Sequence, residues 1–68
     1  MTGTPMDLIR KLDEAAAALL ELAAQVRRAA PAVTDPALRS EMLASAQGME
    51  RRAGNLAEAI QRWRREVN

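Results

Sequence analysis

The sequence lacks cysteine and histidine, and these two absences remove most of the chemistry open to a short chain. Without them the chain offers no ordinary zinc site, no disulfide framework, no thiol nucleophile and no imidazole base. The remaining acid–base groups are nine carboxylates and a single lysine, Lys11. We therefore expect no catalytic residues, no metal site, no cofactor and no enzymatic activity.

A surplus of charge of one sign is also missing, because ten basic and nine acidic residues leave a formal net charge of +1. Dedicated nucleic-acid-binding domains usually carry a large basic excess. The cluster Arg62, Arg64 and Arg65 could still contact a polyanion, although Trp63 is the only aromatic side chain that could stack on a base. Nucleic-acid binding is therefore the minor alternative, and paired or solvated charge is the main interpretation.

Long apolar runs are absent as well, since the longest, residues 15–20, has six members and four of them are alanine. A transmembrane helix needs roughly 20 apolar residues. The first 20 residues carry five charges, which does not fit the apolar core of a secretory signal. We expect no membrane span and a cytoplasmic location.

What the sequence does contain is much alanine, leucine, arginine and glutamate, a composition typical of long helices. Thr4 and Pro5 provide an N-cap and a first helical residue. Pro31 should end this first helix, because proline disfavours helical geometry in the residue before it. Either Thr34 or Asp35 could cap a second helix. These start and stop signals predict helix 1 over about 5–30, a loop over 31–35 and helix 2 over about 36–67.

This pattern predicts an all-α fold, an antiparallel two-helix hairpin forming one domain over residues 1–68. Apolar residues in both helices recur at alternating intervals of four and three, the spacing of a coiled-coil seam. The seam of helix 1 comprises Leu8, Leu12, Ala15, Leu19, Leu22 and Val26, with a second row of Ile9, Ala16, Leu20 and Ala23. The seam of helix 2 comprises Met42, Ala46, Met49, Ala53, Leu56, Ile60, Trp63 and Val67.

The two rows of helix 1 cover about half of its circumference, which is more than one partner helix can bury. We therefore expect two hairpins to dimerise into a four-helix bundle. The expected oligomer interface comprises Leu8, Ile9, Leu12, Leu19, Leu20, Leu22, Val26, Met42, Met49, Leu56, Ile60 and Trp63. Helix 2 should overhang helix 1 from about Arg62, so that Trp63 is buried by a second subunit or offered to another partner.

Small residues form another row on helix 2: Ala37, Ala44, Gly48, Asn55 and Ala59. This row is either a site of close helix packing or ordinary alanine-rich surface. Charges are expected to pair across the hairpin. The C-terminal arginines should meet Asp7, Asp13 and Glu14, and Arg27 and Arg28 should meet Asp35 and Glu41. The intrahelical pairs Asp7–Lys11, Arg10–Glu14 and Glu58–Arg62 are expected as well.

The stretch Thr34-Asp35-Pro36-Ala37-Leu38-Arg39-Ser40-Glu41-Met42-Leu43-Ala44-Ser45-Ala46 resembles runs in small bacterial helical-hairpin proteins of unknown activity. The overall plan is similar in architecture to the plasmid copy-number regulator Rop, a dimeric pair of helical hairpins. This resemblance implies a fold and an assembly, but no RNA-contacting motif carries over.

The leading functional hypothesis is a non-enzymatic helical interaction or scaffold module that self-associates through its apolar faces. The first alternative is a heteromeric adaptor, chaperone or small regulator whose protein partner contributes a helix to the same faces. The second alternative is a basic RNA- or DNA-binding dimer that uses the C-terminal arginines.

Overall fold

A computed structural model of the chain describes residues 4–67 and confirms the predicted all-α hairpin. Helix α1 spans Pro5–Ala29, a short 3-10 turn spans Ala30–Ala32, and helix α2 spans Pro36–Val67. The hairpin is a flat slab measuring 49 × 22 × 14 Å. Its radius of gyration of 15.6 Å exceeds the roughly 11 Å of a compact domain of this length.

Local capping explains where α1 begins. The side-chain hydroxyl of Thr4 accepts a hydrogen bond from the backbone N–H of Asp7 at 3.2 Å, and the Asp7 carboxylate accepts one from the backbone N–H of Thr4 at 3.1 Å. This reciprocal pair is a capping box, which satisfies two N–H groups that the helix itself cannot bond. Pro5 follows at the first helical position, where no N–H is needed.

The connection between the helices departs from the predicted loop, because Pro31 lies inside the 3-10 turn. The backbone N–H of Val33 closes the turn on the carbonyl of Ala30 at 3.0 Å. Asp35, rather than Thr34, caps α2. Its carboxylate accepts from the N–H of Ala37, and its carbonyl accepts from the N–H of Arg39, both at 3.0 Å. An Asp side chain bonded to the second N–H of a helix is a standard N-cap.

A ladder of mainly small residues joins the two helices. The fully buried side chains recur at every seventh position: Ile9, Ala16, Ala23 and Ala30, facing Ala46, Ala53 and Ile60. The next column of each helix is half-buried: Leu12, Leu19 and Val26 on α1, with Met42, Met49 and Leu56 on α2. Alanine at the central positions lets the two backbones approach closely.

This packing confirms most of the predicted α2 seam but corrects the α1 seam. Leu8, Ala15 and Leu22 are exposed, and the buried column comes instead from the row that contains Ile9, Ala16 and Ala23. The reason is steric, because both rows have heptad spacing and the row with the smaller side chains permits the closer approach. Burying the alanines leaves the leucines on the surface.

Two ion pairs join the helices across the hairpin. Asp13 pairs with Arg64 at 2.8 Å, and Arg27 pairs with Glu50 at 2.7 Å. Two heptads separate Asp13 from Arg27, and the same interval separates Glu50 from Arg64. The notch shared by Pro5, Leu8 and Trp63 places the start of α1 beside the last turns of α2. At the other end, the 3-10 turn packs against α2.

The predicted overhang of α2 at its C-terminal end is therefore wrong. Trp63 lies beside the start of α1, where it shares an apolar notch with Pro5 and Leu8. The prediction counted equal distances from the loop. The structure differs because the 3-10 turn and residues 33–35 carry the chain past the end of α1 before α2 begins.

The row of small residues on α2 does not pack against α1. A Cβ atom built on Gly48 would meet only the Nη2 atom of Arg51, at 4.0 Å, and one built on Gly54 would meet nothing within 4 Å. Ala37, Ala44 and Asn55 of this row are exposed. Close packing inside the hairpin depends on Ala46 and Ala53, and no contact within residues 4–67 requires glycine at position 48 or 54.

Candidate interaction surface

The slab has two broad sides. We call one of them the ion-pair face, and it is formed by one column of residues on each helix next to the buried alanines. Members of each column are seven residues apart and therefore share one edge of their helix. The columns are Met6, Asp13, Leu20 and Arg27 on α1, and Leu43, Glu50, Ala57 and Arg64 on α2. The two cross-hairpin ion pairs lie here, and Leu20 occupies the position between them.

The Arg27–Glu50 pair is the best-defined polar contact of the ion-pair face. The guanidinium donates from Nε and from Nη2 to the two carboxylate oxygens, at 2.8 and 2.7 Å. Such a two-bond fork is the strongest geometry for this pair of groups. The hydrogen bonds from Arg27 hold the pKa of Glu50 below its ordinary value, and the same bonds raise the pKa of Arg27.

The other side of the slab is the apolar face. Its inner columns are the half-buried Leu12, Leu19, Val26, Met42, Met49 and Leu56 together with Trp63. Its outer columns are Leu8, Ala15, Leu22 and Ala29 on α1, and Leu38, Ser45, Arg52, Ala59 and Glu66 on α2. Arg52 and Glu66 are the only charged members of these columns.

Two surface depressions confirm which residues share the apolar face. At the open end, an apolar notch of about 210 Å³ is lined by Leu8, Trp63 and Glu66, with Pro5 and Val67 beside them. Further along α2, a second depression brings Met49 next to Ser45 and Arg52. On the opposite side of Ile9, Arg10 and Arg64 line a separate depression with Met6.

The apolar face leaves much hydrophobic surface in water. Leu8, Leu22 and Trp63 are 58, 45 and 41 % exposed. The chain exposes 5095 Å² in total, against roughly 4,200 Å² for a compact protein of this mass. The hairpin therefore packs its two helices closely but leaves many of its large apolar side chains accessible to water. Contiguous exposed apolar surface of this kind is typical of interaction sites.

The structure places the twelve predicted interface residues in three settings. Nine of them lie together on the apolar face: Leu8, Leu12, Leu19, Leu22, Val26, Met42, Met49, Leu56 and Trp63. Ile9 and Ile60 are buried inside the hairpin, and Leu20 lies on the ion-pair face. Sequence reasoning did not single out Arg52 and Glu66 as members of this surface. Each of them lies seven residues from Ala59, and this heptad spacing could have identified them as members of the same column.

The predicted polyanion cluster is divided between two surfaces. Arg64 pairs with Asp13 on the ion-pair face. Arg62 and Arg65 instead line a shallow depression on the outer side of α2, together with Glu58 and Gln61. The three arginines therefore do not present one continuous cationic surface.

Other pairings differ from those predicted. Arg27 pairs with Glu50 instead of Asp35 or Glu41. Within residues 4–67 the intrahelical ion pair is Asp7–Arg10, and the three predicted i,i+4 pairs do not form. The same part of the chain holds no cluster of three side chains that could bind a metal ion. Neither described helix has an apolar stretch sufficient to cross a bilayer.

No protein-family model, no curated protein and no solved structure matches the chain.

Proposed function

We propose that the chain is a non-enzymatic helical protein–protein interaction module that self-associates through its apolar face. Two hairpins stacked on this face form a four-helix bundle. The observation that supports the proposal is the exposed group of leucines, methionines and Trp63 on one side of a slab only 14 Å thick. A two-helix slab has no second layer that could cover these side chains.

The area to be covered fits a second copy of the chain. Two separate hairpins expose 5095 Å² each, whereas a compact protein of twice the mass exposes roughly 7,000 Å². Reaching that compactness would bury about 3,200 Å² in total, which lies in the range of obligate homodimers. Such interfaces are also markedly apolar, as this face is.

The fully buried core of one hairpin is also weak by itself. Only Ile9 and Ile60 among its fully buried members are larger than alanine. Burying a large aliphatic side chain contributes about 1.5–3 kcal/mol, whereas an alanine methyl contributes far less. Stacking would complete the burial of the half-exposed leucines and methionines, and small chains commonly gain stability by association.

The test compares two leucines of α1 that differ mainly in the side of the slab they occupy. Leu22 lies on the apolar face and is 45 % exposed, and Leu20 lies on the ion-pair face and is 51 % exposed. Neither has a charged residue three or four positions away. Leu22→Glu should raise the dissociation constant at least about a hundredfold, because it places two carboxylates in the interface. Leu20→Glu should change it less than about threefold.

Sedimentation equilibrium of both variants and of the unaltered chain provides the measurement, with helix content followed by circular dichroism. Equal dissociation constants for the two variants would contradict the proposal. A monomeric, partly unfolded wild-type chain would also contradict it, and would favour the alternative in which a different protein supplies the covering helices.

A further inference from the structure

We infer that Glu41 of each copy forms an ion pair with Arg62 of the other copy, because α2 lies antiparallel on α2 of the second hairpin. The two-fold axis of this arrangement is perpendicular to the helices and passes close to Arg52. Helix α1 then lies on α1 of the second copy, and the loops of the two hairpins are at opposite ends of the bundle. The inference rests on the proposed self-association and specifies how the two copies are arranged.

The first support comes from the edge column of α2, which borders the apolar face on the side away from α1. The edge column comprises Glu41, Gly48, Asn55 and Arg62. Its two charged members are exposed, and neither belongs to an ion pair within residues 4–67. Glu41 lies eleven residues before Arg52, and Arg62 lies ten residues after it. An antiparallel copy of α2 centred near Arg52 therefore brings each Glu41 to an Arg62, at the flanking positions where paired helices commonly form ion pairs.

The apolar columns of α2 have nearly the same centre as the edge column. The inner column comprises Met42, Met49, Leu56 and Trp63. Its midpoint lies half a residue beyond Arg52, so an antiparallel copy matches each methionine with Leu56 or Trp63 of the other chain. The outer column runs from Leu38 to Glu66 and is centred on Arg52 itself. All three columns of α2 are therefore centred within about one residue of each other.

Arg52 itself lies next to its own counterpart at the axis. The Cα–Cβ bond of a helical residue points toward the N-terminus of its helix. Because the two helices are antiparallel, the two Arg52 side chains lean in opposite directions along the bundle. Their guanidinium groups therefore diverge, while the aliphatic part of each side chain covers apolar surface.

Helix α1 has a symmetric apolar pattern as well. The series comprises Leu8, Leu12, Ala15, Leu19, Leu22 and Val26, with intervals of four, three, four, three and four. It reads the same in both directions, and its centre is level with Ala17. An antiparallel copy of α1 centred there places Leu8 on Val26, Leu12 on Leu22 and Leu19 on Ala15. Every leucine of this series is thereby covered by an apolar residue of the second copy.

The centres on α1 and α2 lie at nearly the same level of the hairpin. Leu8 and Trp63 line one notch, which sets the two helices in register at the open end. Both helices rise equally per residue. Nine residues onward from Leu8 is Ala17, and nine residues back from Trp63 is Gly54. Gly54 is two residues from Arg52, which is about 3 Å along the helix. One two-fold axis therefore serves both helices.

The competing arrangement has its two-fold axis parallel to the helices and stacks α1 of each copy on α2 of the other. Lys11 lies three residues after Leu8, and Arg62 directly precedes Trp63. Because Leu8 and Trp63 are level, this arrangement brings Lys11 of each copy close to Arg62 of the other, on the same edge of the bundle. Two like-charge contacts act against the parallel axis, whereas the perpendicular axis gives each Arg62 a carboxylate.

Charge exchange separates the two arrangements, because they predict opposite effects for one variant. Arg62→Glu should raise the dissociation constant roughly fivefold, since it places carboxylates together at two symmetric edges of the interface. The parallel axis predicts a lower dissociation constant instead, since the new carboxylates would meet Lys11. Glu41→Arg should also raise the dissociation constant. The double variant should return to within about twofold of the unaltered chain, because both pairs form again with reversed sign.

Arg65→Glu is the matched control for net charge. Arg65 lies three residues from Arg62, on the outer side of α2 and away from the apolar face. This variant should change the dissociation constant less than about twofold. Sedimentation equilibrium gives all the dissociation constants, and circular dichroism shows whether each variant keeps its helix content.

Cysteine cross-linking locates the axis with a separate readout, because the chain has no cysteine of its own. Arg52→Cys places two thiols at the axis, where a disulfide needs Cα atoms about 4.4–6.8 Å apart. We expect this variant to form covalent dimers under mild oxidation. Ser45→Cys is the matched control, because Ser45 is an exposed residue of the same column seven residues earlier. Its two thiols would lie about 21 Å apart along the bundle and should remain unlinked.

The outcomes separate this inference from the proposed function. A wild-type dimer in which Arg62→Glu associates more tightly, the double variant shows no rescue, or Arg52→Cys does not cross-link overturns the inferred arrangement and leaves self-association standing. A wild-type chain that remains monomeric overturns the proposed function itself. Cross-linking at position 52 together with rescue by charge exchange supports both.

Discussion

The two broad sides of the slab are built by the same helices, yet they differ in what they leave exposed to water. On the ion-pair face, Asp13 meets Arg64 and Arg27 meets Glu50 across the hairpin. The exposed apolar residues of that face, Met6, Leu20 and Leu43, are separate from one another, and isolated exposures of this kind are ordinary. The apolar face instead presents adjoining columns of leucine and methionine.

The difference follows from the choice of alanine for the buried seam. Helix α1 has three adjacent apolar columns, and α2 covers the one with the smallest side chains. A hairpin selected to be stable alone would be expected to bury its leucines. In this chain the side chains with the most apolar area remain at the surface. The buried alanines therefore position the helices, and most of the apolar area that could still be buried lies on the apolar face.

The largest expected effect comes from breaking the seam on which both faces depend. Ala23 is 0 % exposed between the helices, and Ala23→Leu should lower the free energy of unfolding by about 2–3 kcal/mol because the helices must separate. Ala17→Leu, at an exposed position, should change it by less than about 0.5 kcal/mol. Urea unfolding at one fixed protein concentration gives both values. Similar losses for the two variants would show that the helices are not closely packed.

A smaller effect is expected at the two helix glycines, which differ in their distance from the apolar face. Gly48 adjoins Met49 and Arg52 at the edge of that face, and nothing lies within 4 Å of a Cβ on Gly54. Gly48→Ala and Gly54→Ala should each stabilise the chain by about 1 kcal/mol through helix propensity. Urea unfolding measures both gains, and a loss of stability in either variant would contradict the open space around these two positions.

The smallest effect is expected from the ion-pair face, because Arg27 and Glu50 are solvent-accessible and such pairs contribute little. The pKa of Glu50 lies below its ordinary value of 4.5 in the folded chain. Its contribution to stability is therefore present above pH 4.5 and is lost as the pH falls through the lowered pKa. Glu50→Gln should melt at a slightly lower temperature at pH 7, and this gap should close in acid. A gap that is constant down to pH 2 would contradict the assignment.

The starts of both helices could be predicted because capping is local. A helix start can be predicted from the local sequence alone at Thr4 with Pro5 and at Asp35 with Pro36. The register could not be predicted, since it depends on how far the 3-10 turn carries the chain. The paired regions were therefore predicted correctly at Asp13 and Arg64, where the chain ends meet, and incorrectly for Arg27.

The membership of the candidate surface was predictable in outline, since nine of the predicted interface residues lie on the apolar face. The side on which Leu20 lies was not, because two α1 rows have heptad spacing and the choice between them depends on the distance between the helices. That distance is set jointly by alanines of α1 and of α2. A single-helix pattern therefore identifies the apolar columns but does not reveal which column the other helix covers.

The central claim is that the apolar face is covered by a second copy of the chain, and sedimentation equilibrium of the unaltered protein tests it most directly. The measurement covers about a hundredfold range of dilution, with helix content recorded on the same samples. The account predicts the mass of a dimer at high concentration and a loss of helix as the dimer dissociates. A fully helical monomer at every concentration would contradict it.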